Sequence, residues 1–511
     1  MRLHTTVCLA ALLLTAGCAV NPVTGDRDFI IVSGKQELAM GEQNYAPMQQ
    51  SQGGPYDVDP ALTEYVQTVG GKLAAASGVD LPYEFAVLNN SVPNAWALPG
   101  GKIAINRGLL TEMNSEAELA AVLGHEIVHA AARHSAQQQS RGMLAQIGIL
   151  ATGIAANDSD YGNLIVGGAQ VGAQMLMMKY GRGAESESDK YGMRYMSKAG
   201  YDPQGAVDLQ ETFVRLSEGR NQDWLSGLFS SHPPSQARVD ANRKTAARLP
   251  LGGTTGEDAY KAALAKTMRL KPAYDEYDDG RKALSENRND EALVHANEAL
   301  KLFPDEAHFH ALRGDVRLSN KQYDMAITNF NRAIVRRDVF FYYHLQRGIA
   351  RHELGQTDAA VVDLENSLKL LPTAPAHYVL GEIKEERGNV SEAIEHYKVV
   401  AKSGGSSYAK AAAERLVRLE LPSQPASYIA SACGDDGSGQ VAIQVRNGTS
   451  LPVTGLRVHI RYVDTSGAQR QLAQNISGVL DAGQTSVIRT GLKPSAGSRC
   501  ESKVTAAQLA E

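Results

Sequence analysis

The stretch LAAVLGHEIVHAAARHS, residues 119–135, sets two histidines and a glutamate in a run of helix formers. On an α-helix His125 and His129, at i and i+4, share one face one turn apart and can grip a single ion. Glu126 lies about 100° round from His125. From there it can take a proton from a water at the open coordination position without ligating. A catalytic zinc usually has three protein ligands, so a third must come from downstream. The H-x-x-G-x-x-H continuation fails, because Ala132 and Ser135 stand where Gly and His are needed. His134 is predicted on the opposite face of the same helix, toward solvent. The segment YGRGAESESDKYGM, residues 180–193, offers another solution. Glu185 and Asp189 are at i and i+4, so the first can ligate while the second accepts from the free nitrogen of a ligand histidine. Glu187 points about 200° away from Glu185.

The elements that must position these groups are short. Pro99, Gly100 and Gly101 form a turn before KIAIN, residues 102–106, which reads as an edge strand. Such an edge can hold an extended peptide by β-augmentation. His232 sits between Ser231 and two prolines in a non-helical loop, SHPPSQARVD, residues 231–240. Residues 142–178, apolar and rich in Gly and Met, predict a helical hairpin that either covers the cleft or belongs to the core.

Three stretches in this order resemble the zinc metallopeptidases that include the CAAX prenyl endopeptidases and the periplasmic β-barrel assembly-enhancing proteases. PNAWALPGGKIAINRGLL (93–110) is similar to the family's strand before the H-E-x-x-H helix, and HEIVHAAARHS is that helix. KYGRGAESESDKYGM is similar to its E-x-E-A-D segment, with Ser188 where Ala is usual. The resemblance implies Glu185 as third ligand of one zinc per chain, with Asp189 supporting it. The H-P-x-x-x-R element implies that His232 lies near the zinc, to stabilise the oxyanion or to occupy the open coordination position. Arg238 is then placed to orient it or to pair with a carboxylate. Quality control of envelope or outer-membrane proteins follows as the implied role.

With 511 residues, 43% hydrophobic and 21% charged, the chain is large enough for several domains. Its net charge of −5 and lack of basic runs give no footprint for nucleic acid. Residues 1–17 read as a signal peptide, and Ala16-Gly17-Cys18 resembles a lipoprotein cleavage box, with Cys18 lipidated. Ala19 then implies the periplasmic face of the outer membrane, the alternative being a soluble periplasmic protein. Cys8 leaves with the signal, and Cys433 and Cys500 remain as a disulfide pair for an oxidising compartment. After the metallopeptidase domain (18–250) and a linker with a leading helix (251–272), Gly280, Gly314, Gly348 and Gly381 recur with Ala292, Ala326, Ala360 and Ala393. That period predicts tetratricopeptide repeats over 273–420, a solenoid for binding peptides or partner proteins. Strand alternation over 424–511 predicts an accessory Ig-like β-sandwich. The expected architecture is therefore multidomain: a mainly helical α+β zinc metalloprotease domain, an all-α solenoid and a small β-sandwich. The expected partners are unfolded or misassembled envelope proteins, the outer-membrane assembly machinery through the repeats, and the membrane through lipid. The opposing reading is a lipoprotein chaperone or scaffold whose zinc site is largely closed.

Overall fold

The structure is a computed structural model describing residues 18–148, 180–219, 231–250, 252–404, 406–495 and 499–510. The predicted signal segment, and residues 149–178 of the predicted hairpin, lie outside the described residues. The chain divides into two units, Met1–Thr373 and Ala374–Glu511.

In the first unit an antiparallel ribbon of β1 (Cys18–Val20) and β2 (Arg27–Phe29) leads into α1 (Gly34–Ser51) and α2 (Pro60–Ser77). Ser33 and Gln36 close a capping box at the start of α1. Strands β3 (Glu84–Leu88), β4 (Ala95–Leu98) and β5 (Lys102–Asn106) form a sheet in the order β3-β5-β4. The predicted turn is present, with Gly100 and Gly101 at φ 81° and 82°, a region open to glycine.

The edge assignment of KIAIN is corrected. Strand β5 is central, parallel to β3 and antiparallel to β4, and all five of its residues are buried. Lys102, the only charged residue of the strand, is buried against Glu42 and Glu84. The edge strands are β3, whose outer side carries one bridge from Pro55 to Leu88, and β4, which pairs only with β5 among the described residues.

Helix α3 (Glu116–Ala131) is buried along its whole length, and Ser115 caps it by accepting from the Glu118 amide. It stops at Ala132–Arg133, where Arg133 takes φ 61°, and α4 (His134–Gly148) starts in a new direction. Helices α5 (Arg182–Lys198) and α6 (Gln204–Gly219) pack against α3, and α7 (Gln236–Ala246) packs on α5 and α6. At the α3–α5 crossing Gly124 faces Gly192 so closely that a Cβ on Gly192 would sit 3.0 Å from the Gly124 carbonyl carbon and the His125 nitrogen.

Residues 252–256 are tied to the peptidase fold: Thr255 accepts from the Ala117 amide, and Tyr201 bridges Thr254. From there α8 (Glu257–Ser285) runs without a break into the first repeat. Tyr260, Leu264, Ala273 and Tyr274 enter the same apolar core as Leu119, Leu123 and Ile127 of α3. Helices α9 (Asn289–Leu302), α10 (Ala307–Ser319), α11 (Tyr323–Arg336), α12 (Phe341–Glu353) and α13 (Thr357–Leu370) continue as helical pairs. The recurring glycines are explained by contact: a Cβ on Gly314 would meet Phe330 at 2.7 Å, and one on Gly348 would meet Leu364 at 2.9 Å. Ala292, Ala326 and Ala360 are fully buried.

The second unit opens with α14 (Ala374–Glu386), α15 (Val390–Ala401) and α16 (Ser407–Glu420), with Gly381 against Tyr397 in the same way. Six strands follow as two three-stranded antiparallel sheets, whose inner residues, among them Ile443, Val445, Val458 and Ile460, share one core. Cys433 and Cys500 are joined by a disulfide. Among the described residues no helix is long and apolar enough to cross a membrane.

Candidate active site

Helix α3 presents His125 and His129 on one face, and α5 brings Glu185 against them. His125 Nε2 lies 3.0 Å from His129 Nε2 and 3.6 Å from Glu185 Oε2, and His129 Nε2 lies 3.3 Å from Glu185 Oε1. His232 enters from the loop before α7, its Nδ1 3.2 Å from His125 Nε2 and 3.0 Å from Glu185 Oε1. One ligand atom from each of the four residues lies within 4.8 Å of all the others.

These residues fit zinc. Three imidazoles and a carboxylate form its usual donor set, and the donor spacings bracket the edge of about 3.3 Å of a tetrahedron with arms of about 2.05 Å. Lone pairs converging on one buried point repel one another unless a cation lies between them. Glu126, also buried, is the exception in the cluster: Oε1 is 3.7 Å from His232 Nε2, and Oε2 has no hydrogen-bond partner among the described residues. Burial pushes its carboxyl up from the ordinary value, against the pull of His232 and His125. A carboxylate so placed is a proton acceptor facing the donor cluster.

Asp189 accepts from His125 Nδ1 at 2.9 Å and is gripped in turn by Arg238, Nη2 to Oδ1 at 2.7 Å and Nε to Oδ2 at 2.9 Å. Burial raises the Asp189 carboxyl, but His125 and Arg238 outweigh it and hold it ionised. Arg238 Nη1 also lies 3.1 Å from Glu185 Oε2. Of the two predicted options for Arg238, carboxylate pairing is the one the structure shows.

The placement of His134 is corrected. It is buried, with Nδ1 2.9 Å from His129 Nδ1 and Nε2 3.4 Å from Glu187 Oε1. The prediction extended α3 through residue 134, whereas the break at Arg133 swings His134 back under the site. Tyr180, which sequence reasoning missed, stacks its ring on His129 with centroids 4.0 Å apart and shares a hydrogen bond with Ser135 Oγ. Its only sequence signal was its place five residues before Glu185. Beyond the site, the β4 edge flanks a groove walled by Glu126, Tyr180, Ser231 and His232. A second recess beside His125 and Glu126 is lined by Val122, Met193, Met196, Leu209 and Phe213.

Residues 60–246 match the family described as Peptidase family M48. The chain carries an M48 peptidase domain. Residues 277–338 and 345–408 match the tetratricopeptide repeat. Over 263 residues the chain is 29% identical to the beta-barrel assembly-enhancing protease of Escherichia coli K12, covering 50% of this chain and 52% of that protein. It is 32% identical over 223 residues to mitochondrial metalloendopeptidase OMA1 of Schizosaccharomyces pombe, 43% of this chain and 63% of that one. It is 34% identical over 174 residues to metalloprotease YcaL of Escherichia coli K12, 33% and 65%. The chain thus spans about half the length of the first of these relatives. The M48 domain contains the whole donor cluster, and both Asp189 and Arg238, within its matched residues.

Proposed function

We propose that this chain is a zinc metalloendopeptidase acting on unfolded or misassembled envelope proteins. In this reading it is held at the periplasmic face of the outer membrane through lipid on Cys18. The observation that carries the chemistry is the convergence of His125, His129 and Glu185 on one buried point, beside a Glu126 oxygen that has no hydrogen-bond partner among the described residues. Those three residues would hold the metal. Zinc bound there supplies Lewis acidity to a water and to the scissile carbonyl. Glu126 takes the proton from that water and delivers it to the leaving amine. The β4 edge holds the substrate backbone extended. The recess of Val122, Met193, Met196, Leu209 and Phe213 receives an apolar side chain next to the cut bond. Asp189, clamped by Arg238, fixes the ring of His125.

His232 within ligand distance of the same point favours a capped resting state, in which its imidazole fills the fourth position until substrate or a partner displaces it. That feature also favours the second reading, a chaperone or scaffold whose closed site rarely turns over. The envelope setting is supported by the Cys433–Cys500 disulfide and by the relatives named for β-barrel assembly. The repeats are read as the part that recruits substrate or the assembly machinery. The two C-terminal sheets are read as an accessory Ig-like sandwich.

Digestion of an unfolded protein such as casein, with and without a chelator, decides between the readings. The Glu126→Gln variant should bind zinc as the wild type does and lose cleavage by orders of magnitude. Chelator-insensitive cleavage, or a fully active Glu126→Gln, refutes the mechanism.

A further inference from the structure

The two histidines on α3 are each held from behind, but by different means. The Asp189–Arg238 pair behind His125 lies within the matched M48 segment. Behind His129 stands a different chain of groups, and it ends outside that segment, in the ribbon β1–β2 near the N-terminus.

If His129 turns the lone pair of Nε2 toward the donor cluster, its ring proton sits on Nδ1 and can be donated to His134 Nδ1, 2.9 Å away. His134 then carries its own proton on Nε2, facing Glu187 Oε1 at 3.4 Å. The same Glu187 oxygen accepts from Asn21 Nδ2 at 3.1 Å. Every bond in this sequence has one donor and one acceptor, so one tautomer of each ring satisfies the whole chain. Asn21 is itself fixed: it is buried, its other amide proton goes to Asp28 Oδ2 at 3.0 Å, and its carbonyl oxygen accepts from the Val23 and Thr24 amides. Asp28 in turn accepts from Gln137 on α4, three residues beyond His134. The ribbon is therefore stitched both to Glu187 on α5 and to the helix that carries His134.

We infer that His134, Glu187 and Asn21 form a positioning relay for His129, so that the N-terminal ribbon is a working part of the metal centre. This rests on the reading of His129 as a metal ligand. Outer partners of ligand histidines set ring orientation and basicity, and losing one typically weakens metal binding about 10–100-fold. Asn21 lies three residues after Cys18, so the relay connects the predicted lipid attachment point to a ligand ring through side-chain hydrogen bonds.

The test uses the full chain, with the zinc dissociation constant measured by chelator competition and the visible spectrum of the cobalt(II)-loaded protein as a readout of ligand geometry. His134→Leu and Glu187→Leu should each raise the dissociation constant about 10–100-fold and shift the cobalt bands. Because the groups act in series, the double variant should match the worse single variant. Glu187→Gln keeps an oxygen that accepts from both neighbours and should stay within about threefold of wild type. Asn21→Leu, remote from the metal, should produce a smaller loss in the same direction, and keeps the relay testable where a His134 variant does not fold. Folded His134→Leu and Glu187→Leu proteins with unchanged zinc affinity and cobalt spectra overturn the relay. So does a Glu187→Gln as impaired as Glu187→Leu. His129→Ala separates the two levels: if it binds zinc like wild type, the ligand reading fails and the relay with it. If it loses zinc while the relay variants do not, the relay alone fails.

Discussion

Replacing Gly192 by alanine tests whether the metal centre depends on how closely α3 and α5 approach. The added methyl would stand 3.0 Å from the Gly124 carbonyl carbon and the His125 nitrogen, and 3.3 Å from the Gly124 oxygen. These are backbone atoms of a buried helix and cannot rotate away, so α5 must retreat by about half an ångström to reach ordinary contact. Asp189 and Glu185 lie one and two turns before Gly192 on the same helix, and they move with it. Metal–ligand distances tolerate about 0.2 Å, so the displacement exceeds what the donor set can absorb. Overpacking of this kind costs about 1–3 kcal/mol, which for a unit of this size lowers Tm by roughly 1–5 °C. Zinc affinity should fall at least tenfold. Gly183→Ala is the internal control: it lies on the same helix with nothing within 4 Å of the new methyl, and should be neutral or stabilise by up to about 1 kcal/mol. Scanning calorimetry and chelator competition on the two variants measure both quantities. If Gly192→Ala matches Gly183→Ala in Tm and zinc affinity, the close crossing does not set the site.

Three further outcomes are expected. For His232→Ala, a capping role gives unchanged or raised turnover on unfolded substrate, whereas oxyanion stabilisation gives a loss of about a hundredfold or more, so steady-state kinetics separates the two. Burial pushes the Glu118 carboxyl to about 7, above its ordinary 4.5, so the folded state keeps this proton at pH values where the unfolded chain has lost it. Stability should therefore fall relative to Glu118→Gln as pH rises from about 4.5 to about 7 and stay lower above that, by on the order of 3 kcal/mol; melting curves of equal Tm difference at pH 4.5 and pH 8 would contradict this. The Cys433–Cys500 bridge closes a separation of 67 residues, so the double serine variant should destabilise the second unit by about 4 kcal/mol while zinc affinity in the first unit stays unchanged.

Much of the site was legible because helical spacing is a strict ruler. The four-residue steps from His125 to His129 and from Glu185 to Asp189 each lie within one unbroken helix, so periodicity placed them correctly. The same ruler failed at His134, since nothing in AARHS announces that Arg133 will adopt a left-handed backbone and end the helix. Strand β5 was misplaced because five residues carry too little pattern to separate an edge from a centre. Its buried lysine was also disguised, as the two glutamates that neutralise it are distant in sequence. The repeats were read well because each Gly meets a large residue on the next helix at a fixed offset, a contact that the sequence itself records. Tyr180 and the Gly124–Gly192 crossing exist only once α3 and α5 are side by side, and local pattern has no access to them.

Helix α8 has a bearing on the order in which the chain matures. The core beneath His125 and His129 is completed by Tyr260, Leu264, Ala273, Tyr274 and Phe309, all C-terminal to the matched peptidase segment. A chain synthesised from its N-terminus has thus made its histidines and glutamates well before the apolar surface under them can be closed. Until α8 arrives, α3 lacks one of the walls it packs against. Helix α8 would in this way act as a timing element, leaving the core under a protein-cutting centre open during synthesis, when its own unfolded chain is the nearest peptide within reach.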